Sequence, residues 1–424
     1  MNEFVKFHAK NNFLTLERMK LLEKLSQLSD ERLAERYNDA FLELYRYARL
    51  YSPFYTKLYA DHGVGINDIK DISDITKLPV INREMIRDHV EDIYNSLDKL
   101  KVIGLTSGTS GTPLTLYRTL FDISIEQGYI RHYRQQHGYT IGQPLLSIRG
   151  TLGKKTSFDY FKKANILYIS SPDINEGTID KYYEMVKDFK PVAVEAYPSY
   201  LHKFCIELSK KGHVLTIPNA FTSSETLVDF QREMIEPYLN TTIHDWYGNA
   251  ERTILLAQDK QMSYKPLPLY SINEYREDHV ITTGLISKRF PLIRYEVGDV
   301  IDMQHKGFVP DLVNPSIKGI QGRIGDNLDL RDGSVVGCID HAFKGMEHLD
   351  MAQVHQYNTI DPIEIKIVAR PAFGPKQENQ LRANFVRMVG AETPLKFVYC
   401  NKEDLTYSNN DKFRLVIKNK PAGS

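Results

Sequence analysis

The alternation of short apolar runs with helical patterns between residues 100 and 320 constrains the fold of this chain most. Apolar runs of strand length occur at residues 145–148, 166–169, 192–194 and 280–282. Patterns with helical spacing occur at residues 176–189 and 225–239. Strands that alternate with helices are typical of α/β layer structures. We therefore predict an α/β fold with a large, multilayer N-terminal domain.

The two ends of the chain have patterns of their own. Residues 14–50 carry leucines and aromatic residues at helical spacing, so residues 1–95 are predicted to form a largely helical region. After Gly325, a strand at 363–368, a helix at 376–389 and a strand at 395–400 predict a small α+β domain. The glycine-rich stretch before it predicts a domain boundary, with domains at 1–322 and 323–424.

Composition excludes several classes of protein. A chain of 424 residues can form two or three domains with sizeable cores. Lysine plus arginine equals aspartate plus glutamate, 54 each, so no global field recruits nucleic acid or an anionic membrane. The three cysteines lack the paired spacing of a zinc site or a disulfide framework. Without a signal-peptide core or a run of about 20 apolar residues, we expect a cytoplasmic protein with no membrane span.

A loop of small residues follows the apolar run Val102-Ile103-Gly104. Its glycines let successive N–H groups converge on an anion, and its hydroxyls add uncharged donors. No Gly-Lys-Ser/Thr ending follows, so the loop is not a Walker motif. An ordinary Ser/Gly-rich turn is the alternative interpretation. The residues predicted to bind phosphate are Thr106, Ser107, Gly108, Thr109, Ser110, Gly111 and Thr112.

Four further segments give the loop its context. They are Tyr51-Ser52-Pro53-Phe54-Tyr55 through Leu78–Glu84, Trp246-Tyr247-Gly248-Asn249-Ala250-Glu251, Pro291–Asp299 and Gly322-Arg323-Ile324-Gly325-Asp326. In this order and spacing the motifs resemble those of the adenylate-forming (AMP-binding) enzymes. Within these enzymes they closely resemble the phenylacetate–coenzyme A ligase-like branch, including relatives encoded with capsular polysaccharide biosynthesis genes. It extends from about residue 50 to Lys418.

The resemblance implies nucleotide-binding roles for several residues. Glu251 would coordinate Mg²⁺ that bridges the phosphates of ATP, and hard oxygen ligands suit that ion. Tyr247 and Gly248 would lie at the adenine, and Asp299 would accept both ribose hydroxyls. Arg323 would contact the ribose or the α-phosphate. A solvated glutamate, a turn aspartate and a surface arginine are the respective structural alternatives.

The segment Ser223-Ser224-Glu225-Thr226 has two interpretations. Its small residues, with Ser224 and Glu225 at the centre, could form the strap that lies beside adenine in the enzymes it resembles. A helix N-cap with Glu225 in the first turn explains the same residues.

The catalytic lysine implied by the resemblance is Lys412, in Asp411-Lys412-Phe413-Arg414, with Lys418 and Lys420 as alternatives. The sequence departs from the family pattern in three respects. Leu114 and Thr115 leave the phosphate loop without its terminal lysine, and Asp411 replaces a glycine. Gly325 stands where relatives have an aspartate or lysine hinge, and glycine can absorb the rotation of a mobile small domain.

We therefore predict an ATP-dependent ligase that forms an acyl adenylate and transfers the acyl group to a thiol, of coenzyme A or of a carrier protein. The expected cofactors are ATP and Mg²⁺, with coenzyme A as a second substrate. The expected partner is a small carboxylic acid, whose identity the sequence leaves open. Acylation of an amine or hydroxyl of a sugar precursor, a non-catalytic nucleotide-binding relative, and a homodimer remain alternatives.

Overall fold

The computed structural model describes residues 11–94, 101–105, 114–150, 152, 156–227, 229–276, 279–297, 299–303, 317–323, 328–331, 335–336, 339–343, 346, 348–407 and 414–418. The α-helices within these residues are α1 Phe13–Leu25, α2 Asp30–Tyr51, α3 Pro53–Asp61, α4 Arg83–Asp88, α5 Val90–Ile93, α6 Leu120–Gln136, α7 Ile179–Phe189, α8 Pro198–Lys210, α9 Asp229–Leu239 and α10 Pro375–Val389. Short 3-10 helices span Ile72–Lys77, Ser171–Asp173, Ile339–Phe343 and Lys402–Asp404.

The strands alternate with these helices along the chain. They are β1 Val102–Leu105, β2 Thr115–Arg118, β3 Leu145–Arg149, β4 Phe158–Phe161, β5 Ile166–Ser170, β6 Ala193–Ala196, β7 Asn219–Ser223, β8 Thr242–Gly248, β9 Leu255–Gln258, β10 Tyr264–Pro266, β11 Ser271–Tyr275, β12 Val280–Gly284, β13 Tyr295–Val297, β14 Asp299–Met303, β15 Ile317–Arg323, β16 Leu328–Asp329, β17 Val335–Val336, β18 Leu349–Gln356, β19 Ile363–Ala369, β20 Leu395–Tyr399 and β21 Val416–Lys418.

The predicted helical N-terminal region is confirmed as successive helices whose starts the sequence specifies. The side chains of Asn12 and Ser29 cap α1 and α2 by accepting bonds from main-chain N–H groups three residues ahead. Along α2, Tyr37, Phe41 and Leu44 are buried at helical spacing. The apolar stripe therefore sets which face of α2 packs inward.

The chain divides into two compact units, the first comprising Met1–Thr140 and Trp246–Ile320. In this unit β1 and β2 form an antiparallel hairpin. Leu105, at the end of β1, pairs with Thr115, at the start of β2, so the predicted phosphate-binding loop connects these two strands. Strands β11, β12 and β13 form an antiparallel sheet. The Trp246–Gly248 end of β8 pairs antiparallel with β9, which pairs with β10.

The second unit comprises Ile141–Asp245 and Gln321–Ser424. Strands β5, β3, β6 and β7 lie in parallel, with β4 antiparallel at the edge. Side chains of α7, α8 and α9 share a buried core with alternate residues of these strands, including Leu146, Leu167 and Val194. The predicted strands and helices thus occur, except that two helices begin later than predicted, α7 at Ile179 rather than residue 176 and α9 at Asp229 rather than residue 225.

The C-terminal part of the second unit has its own sheet, in the order β20, β19, β18, β21. Helix α10 buries Leu381 and Phe385 in a core with Ile365 and Val354 of this sheet. These observations confirm the predicted fold class, an α/β protein with a small α+β C-terminal region. The domain boundary at 322/323 stays a prediction. Among the described residues, no helix is long and apolar enough to cross a membrane.

Candidate active site

Glu251 lies in a tight turn between β8 and β9 in the first unit. The Asn249 side chain accepts a bond from the Thr253 N–H at 2.9 Å and donates one to the Thr253 hydroxyl at 2.8 Å. Arg252 adopts a left-handed conformation with φ of 58°. The bonds between Asn249 and Thr253 therefore fix the backbone of the turn on both sides of Glu251.

The Glu251 carboxylate is only 4% exposed and is bonded by two residues distant in sequence. Its Oε1 accepts a hydrogen bond from the Tyr295 hydroxyl at 3.2 Å and one from Arg83 Nη1 at 3.3 Å. Burial, and then the charge of Glu251, raise the pKa of Tyr295 well above its usual range. Tyr295 therefore stays a neutral donor, while Arg83 balances the charge of the carboxylate.

Arg83 reaches this position because the segment before α4 is bonded to the motif Pro291–Asp299. Ile81 N–H donates to the Arg294 carbonyl, and Glu296 N–H donates to the Ile81 carbonyl, both at 2.9 Å. The buried Arg294 guanidinium forms a bidentate pair with Glu274, with both bonds 2.8 Å long. These contacts anchor the residues that flank Arg83 beside Tyr295.

A second pair connects two predicted nucleotide residues. Tyr247, in β8, donates its hydroxyl hydrogen bond to Asp299 Oδ2 at 2.5 Å. Asp299 begins β14 and is 8% exposed. Gly248 follows Tyr247, and a Cβ there would lie 3.2 Å from Leu255 Cδ1, so the strand packs closely at this point. The structure thus brings Tyr247 and Asp299 into direct contact.

Ser224 and Glu225 lie in the second unit. Ser224 is exposed with φ of 70°, a left-handed conformation that is uncommon for serine. Glu225 Oε2 accepts a bond from Ser199 N–H at 3.0 Å, in the first turn of α8. The interpretation as an N-cap of the following helix is wrong, since α9 begins only at Asp229. Glu225 instead stabilises the N-terminus of α8.

Several predicted site residues lie outside the described part of the chain. These are Thr106, Ser107, Gly108, Thr109, Ser110, Gly111 and Thr112 of the loop, the hinge Gly325, and Lys412. Only the backbone of Arg323 is described, as the last residue of β15. Their roles stay predictions. Lys418, the alternative to Lys412, forms an ion pair with Asp329 at 2.6 Å.

The donor set at Glu251 is compatible with Mg²⁺. Within the described residues, no three His, Cys, Asp or Glu side chains are grouped to hold a metal. Mg²⁺ is commonly bound by one or two carboxylates together with substrate phosphates and water. Both bonds described for Glu251 end on Oε1. A single carboxylate that presents its second oxygen fits that mode of binding.

Sequence reasoning missed Arg83 and Tyr295 as partners of Glu251. Both residues occur in motifs that the sequence had already indicated, Leu78–Glu84 and Pro291–Asp299. The only signal in the sequence was that a basic residue and a phenolic residue stand inside motifs already assigned to nucleotide binding. The contact itself joins residues 168 positions apart, which no local pattern reports.

Two curated proteins are similar to this chain over most of their lengths. Protein CapK of Staphylococcus aureus is 25% identical over 412 residues, which cover 93% of this chain and 91% of CapK. A phenylacetate–coenzyme A ligase of Thermus thermophilus is 22% identical over 382 residues, which cover 83% of each chain. No protein-family profile matches the chain.

A solved structure has the same fold. A 2-hydroxyisobutyryl–CoA ligase, crystallised in the postadenylation state with an acyl-AMP, aligns with a TM-score of 0.70 and 15% identity. The alignment covers 90% of this chain and 88% of that one. The predicted enzyme class, an acid–thiol ligase-like adenylate-forming enzyme, is the class of these named ligases. The relatives and the fold therefore confirm the predicted resemblance of this chain to the adenylate-forming enzymes of the phenylacetate–coenzyme A ligase-like branch.

Proposed function

We propose that this protein is an ATP-dependent carboxylate–AMP ligase that forms an acyl adenylate and then transfers the acyl group to coenzyme A. The observation that supports it most is the direct bond between Tyr247 and Asp299, two residues that the motifs assign to one nucleotide. The phenylacetate–coenzyme A ligases among its relatives support the thiol acceptor.

In the first half-reaction, a carboxylate oxygen attacks the α-phosphorus of ATP. The bond from that phosphorus to the bridging oxygen breaks, and pyrophosphate leaves with the electron pair. Both reactants are anions, so the site must neutralise charge and hold the reactants in line. Asp299 would orient the ribose by accepting its two hydroxyls, and the Tyr247 bond keeps the Asp299 carboxylate in place.

In this scheme Glu251 would hold the Mg²⁺ that accompanies the phosphates of ATP. Its carboxylate is held in one orientation by Tyr295 and Arg83. When bound there, Mg²⁺ would neutralise charge on the phosphate oxygens. The predicted lysine, Lys412, would approach the α-phosphate and the substrate carboxylate during adenylation.

In the second half-reaction, the thiolate sulfur of coenzyme A attacks the acyl carbon. The bond from that carbon to the AMP oxygen breaks, AMP leaves, and the thiol proton passes to solvent. A hydroxyl or amine of a sugar precursor, which the sequence motifs left open, stays the alternative acceptor, in which case an ester or amide forms.

The test is pyrophosphate release from ATP against a panel of aliphatic, aromatic and hydroxylated carboxylic acids, with and without coenzyme A. We expect one class of acid to release pyrophosphate, and coenzyme A to convert the adenylate into a thioester with loss of free thiol. Adenylate formation without loss of thiol would favour the sugar acceptor. ATP binding without pyrophosphate release from any acid would contradict the proposal and favour a non-catalytic relative.

A further inference from the structure

Arg118 occupies an unusual position beneath the hairpin that carries the phosphate loop. It ends β2, opposite Val102, and its side chain extends diagonally across β1 toward the loop. A Cβ built on Gly104 would lie 2.7 Å from the guanidinium carbon of Arg118, which is closer than real Cβ atoms approach. The absence of a side chain at Gly104 therefore creates the space that the guanidinium fills.

The same guanidinium also contacts the segment that leads to Glu251. Arg118 Nη2 donates a hydrogen bond to the carbonyl of Ala250, the residue immediately before Glu251. Arg118 thus bridges two parts of the first unit, the hairpin of the phosphate loop and the turn that presents Glu251. The motif resemblance implies that both parts, the loop and the turn with Glu251, bind the phosphates of ATP.

The positive charge of Arg118 has no ion-pair partner in the part of the chain that the structure describes. Its described acceptor is a neutral carbonyl, and no carboxylate of the described residues lies within 4.0 Å of it. Burial, and then the like charge of Arg252, lower the pKa of Arg118, while the more distant charges of Glu126 and Glu251 act in the opposite direction and offset only part of this effect. A partly buried cation next to another cation is unfavourable unless an anion compensates it.

Arg252 extends this positive region. It pairs with Glu126, and its Nη1 is buried without a hydrogen-bond partner among the described residues. The two guanidiniums near Ala250 and Glu251 therefore offer more donors than the described protein acceptors use. Guanidinium groups match phosphate oxygens in geometry as well as in charge.

We propose that Arg118 binds the β- and γ-phosphates of ATP, and hence pyrophosphate, with Arg252 adding to the local positive potential. Arg118 thereby replaces the lysine that is missing from the end of the loop, where Leu114 and Thr115 stand. The proposal rests on the proposed function, because it assumes that ATP is the ligand.

The test compares the binding of ATP, pyrophosphate and AMP by calorimetry in the full-length protein. Arg118→Gln should weaken ATP and pyrophosphate binding by about 10- to 100-fold, the range for charge-assisted hydrogen bonds. AMP affinity should change less than about twofold, because AMP lacks the β- and γ-phosphates. Arg118→Lys should recover part of the loss, since it keeps the charge without the planar geometry.

Arg131→Gln is the matched control. Arg131 is also a partly buried arginine of the first unit with a pKa lowered by burial, but its guanidinium contacts Asn11 instead of the hairpin. Its replacement should leave all three affinities unchanged. Gly104→Ala is a second test of the proposal, since the Cβ of alanine displaces the Arg118 guanidinium without removing it. This variant should weaken ATP but not AMP binding, with little added effect in the Arg118→Gln background.

Equal losses of ATP and AMP affinity in Arg118→Gln would overturn the proposal and leave Arg118 a structural tie to Ala250. Unchanged ATP affinity would also overturn it. A parent protein that binds AMP and pyrophosphate but releases no pyrophosphate with any acid would contradict only the proposed function. A parent protein that binds none of the three ligands would contradict both.

Discussion

Tyr247 donates a hydrogen bond to Asp299 across 2.5 Å, and this contact joins two motifs that lie 52 residues apart in the sequence. Asp299 is 8% exposed, so its carboxylate is largely shielded from solvent. A buried acceptor that already accepts a hydrogen bond is oriented before any ligand arrives, which reduces the ordering that binding requires.

Replacing Asp299 tests its predicted role at the ribose. Asp299→Ala should weaken ATP binding by about 1.5–3 kcal/mol, because charge-assisted hydrogen bonds to two hydroxyls are lost. Isothermal calorimetry with ATP gives the value. Tyr247→Phe is the companion variant and should reduce affinity by about 1 kcal/mol, since it removes the orienting bond and keeps the ring. Unchanged ATP affinity in Asp299→Ala would show that Asp299 does not contact the ribose.

Glu251→Gln should raise the Mg²⁺ concentration needed for half-maximal pyrophosphate release and lower the maximal rate by about 10²-fold. The amide keeps the size of the side chain and removes the charge that Arg83 balances. A Mg²⁺ titration of the adenylation rate measures both effects. Glu296→Gln is a suitable control, because that carboxylate is 43% exposed and one residue beyond Tyr295. Identical Mg²⁺ profiles for Glu251→Gln and the parent would remove Glu251 from the metal site.

Lys412→Ala should reduce acyl-adenylate formation by about 10²–10³-fold, since a cation between two anions stabilises the transition state more than the separated reactants. Transfer from chemically supplied acyl-AMP should be largely retained, and so should ATP affinity. The two half-reactions are assayed separately, by pyrophosphate release and by loss of acyl-AMP. Lys418→Ala is the control, because Lys418 is already paired with Asp329. If only Lys418→Ala lost adenylation, the catalytic lysine would be Lys418.

The stability of the second unit should fall in mild acid because of His202, in α8. Burial lowers the pKa of His202 to about 3, and the charges of Lys402 and Arg370 add to the effect. An unfolded histidine has a pKa of about 6.5, so protons bind preferentially to the unfolded chain. The stability that neutral His202 contributes to the folded state is fully present above about pH 6.5. It is lost as the pH falls toward the folded pKa of about 3.

Between pH 7 and pH 5 this linkage should lower the free energy of unfolding by about 2 kcal/mol. Denaturant unfolding at several pH values, followed for the parent and for His202→Leu, measures it. The difference in the free energy of unfolding between the parent and His202→Leu should change by that amount between about pH 7 and pH 5, since leucine does not titrate. A pH-independent difference would indicate that His202 has the same pKa in the folded and the unfolded protein.

Much of the fold was predictable because its signals are local. The runs at 145–148 and 166–169 became β3 and β5, and the pattern at 376–389 became most of α10. Strand length and helical spacing are properties of neighbouring residues, so a single sequence displays them. The start of α9 was misplaced because Ser223–Thr226 have the composition of a helix cap while Glu225 serves a different helix.

The candidate site was predictable only as far as its motifs are contiguous. Tyr247, Glu251 and Asp299 stand in recognisable motifs, but nothing near Arg83 in the sequence indicates Glu251 as its partner. The same holds for Arg118 and the carbonyl of Ala250, 132 residues away. Such contacts depend on how separate segments pack against each other. The spacing of residues along one segment does not encode that packing.

The packing of Arg118 against Gly104 also makes the residues tolerated at either position depend on the other. A side chain at position 104 meets the guanidinium while Arg118 is present, since even a Cβ would lie 2.7 Å from it. The group that it meets is the far end of a flexible side chain, so a residue as small as alanine at 104 is accommodated when the guanidinium shifts. Larger side chains at 104 require a shorter residue at 118, so we expect these two positions to vary together among related sequences.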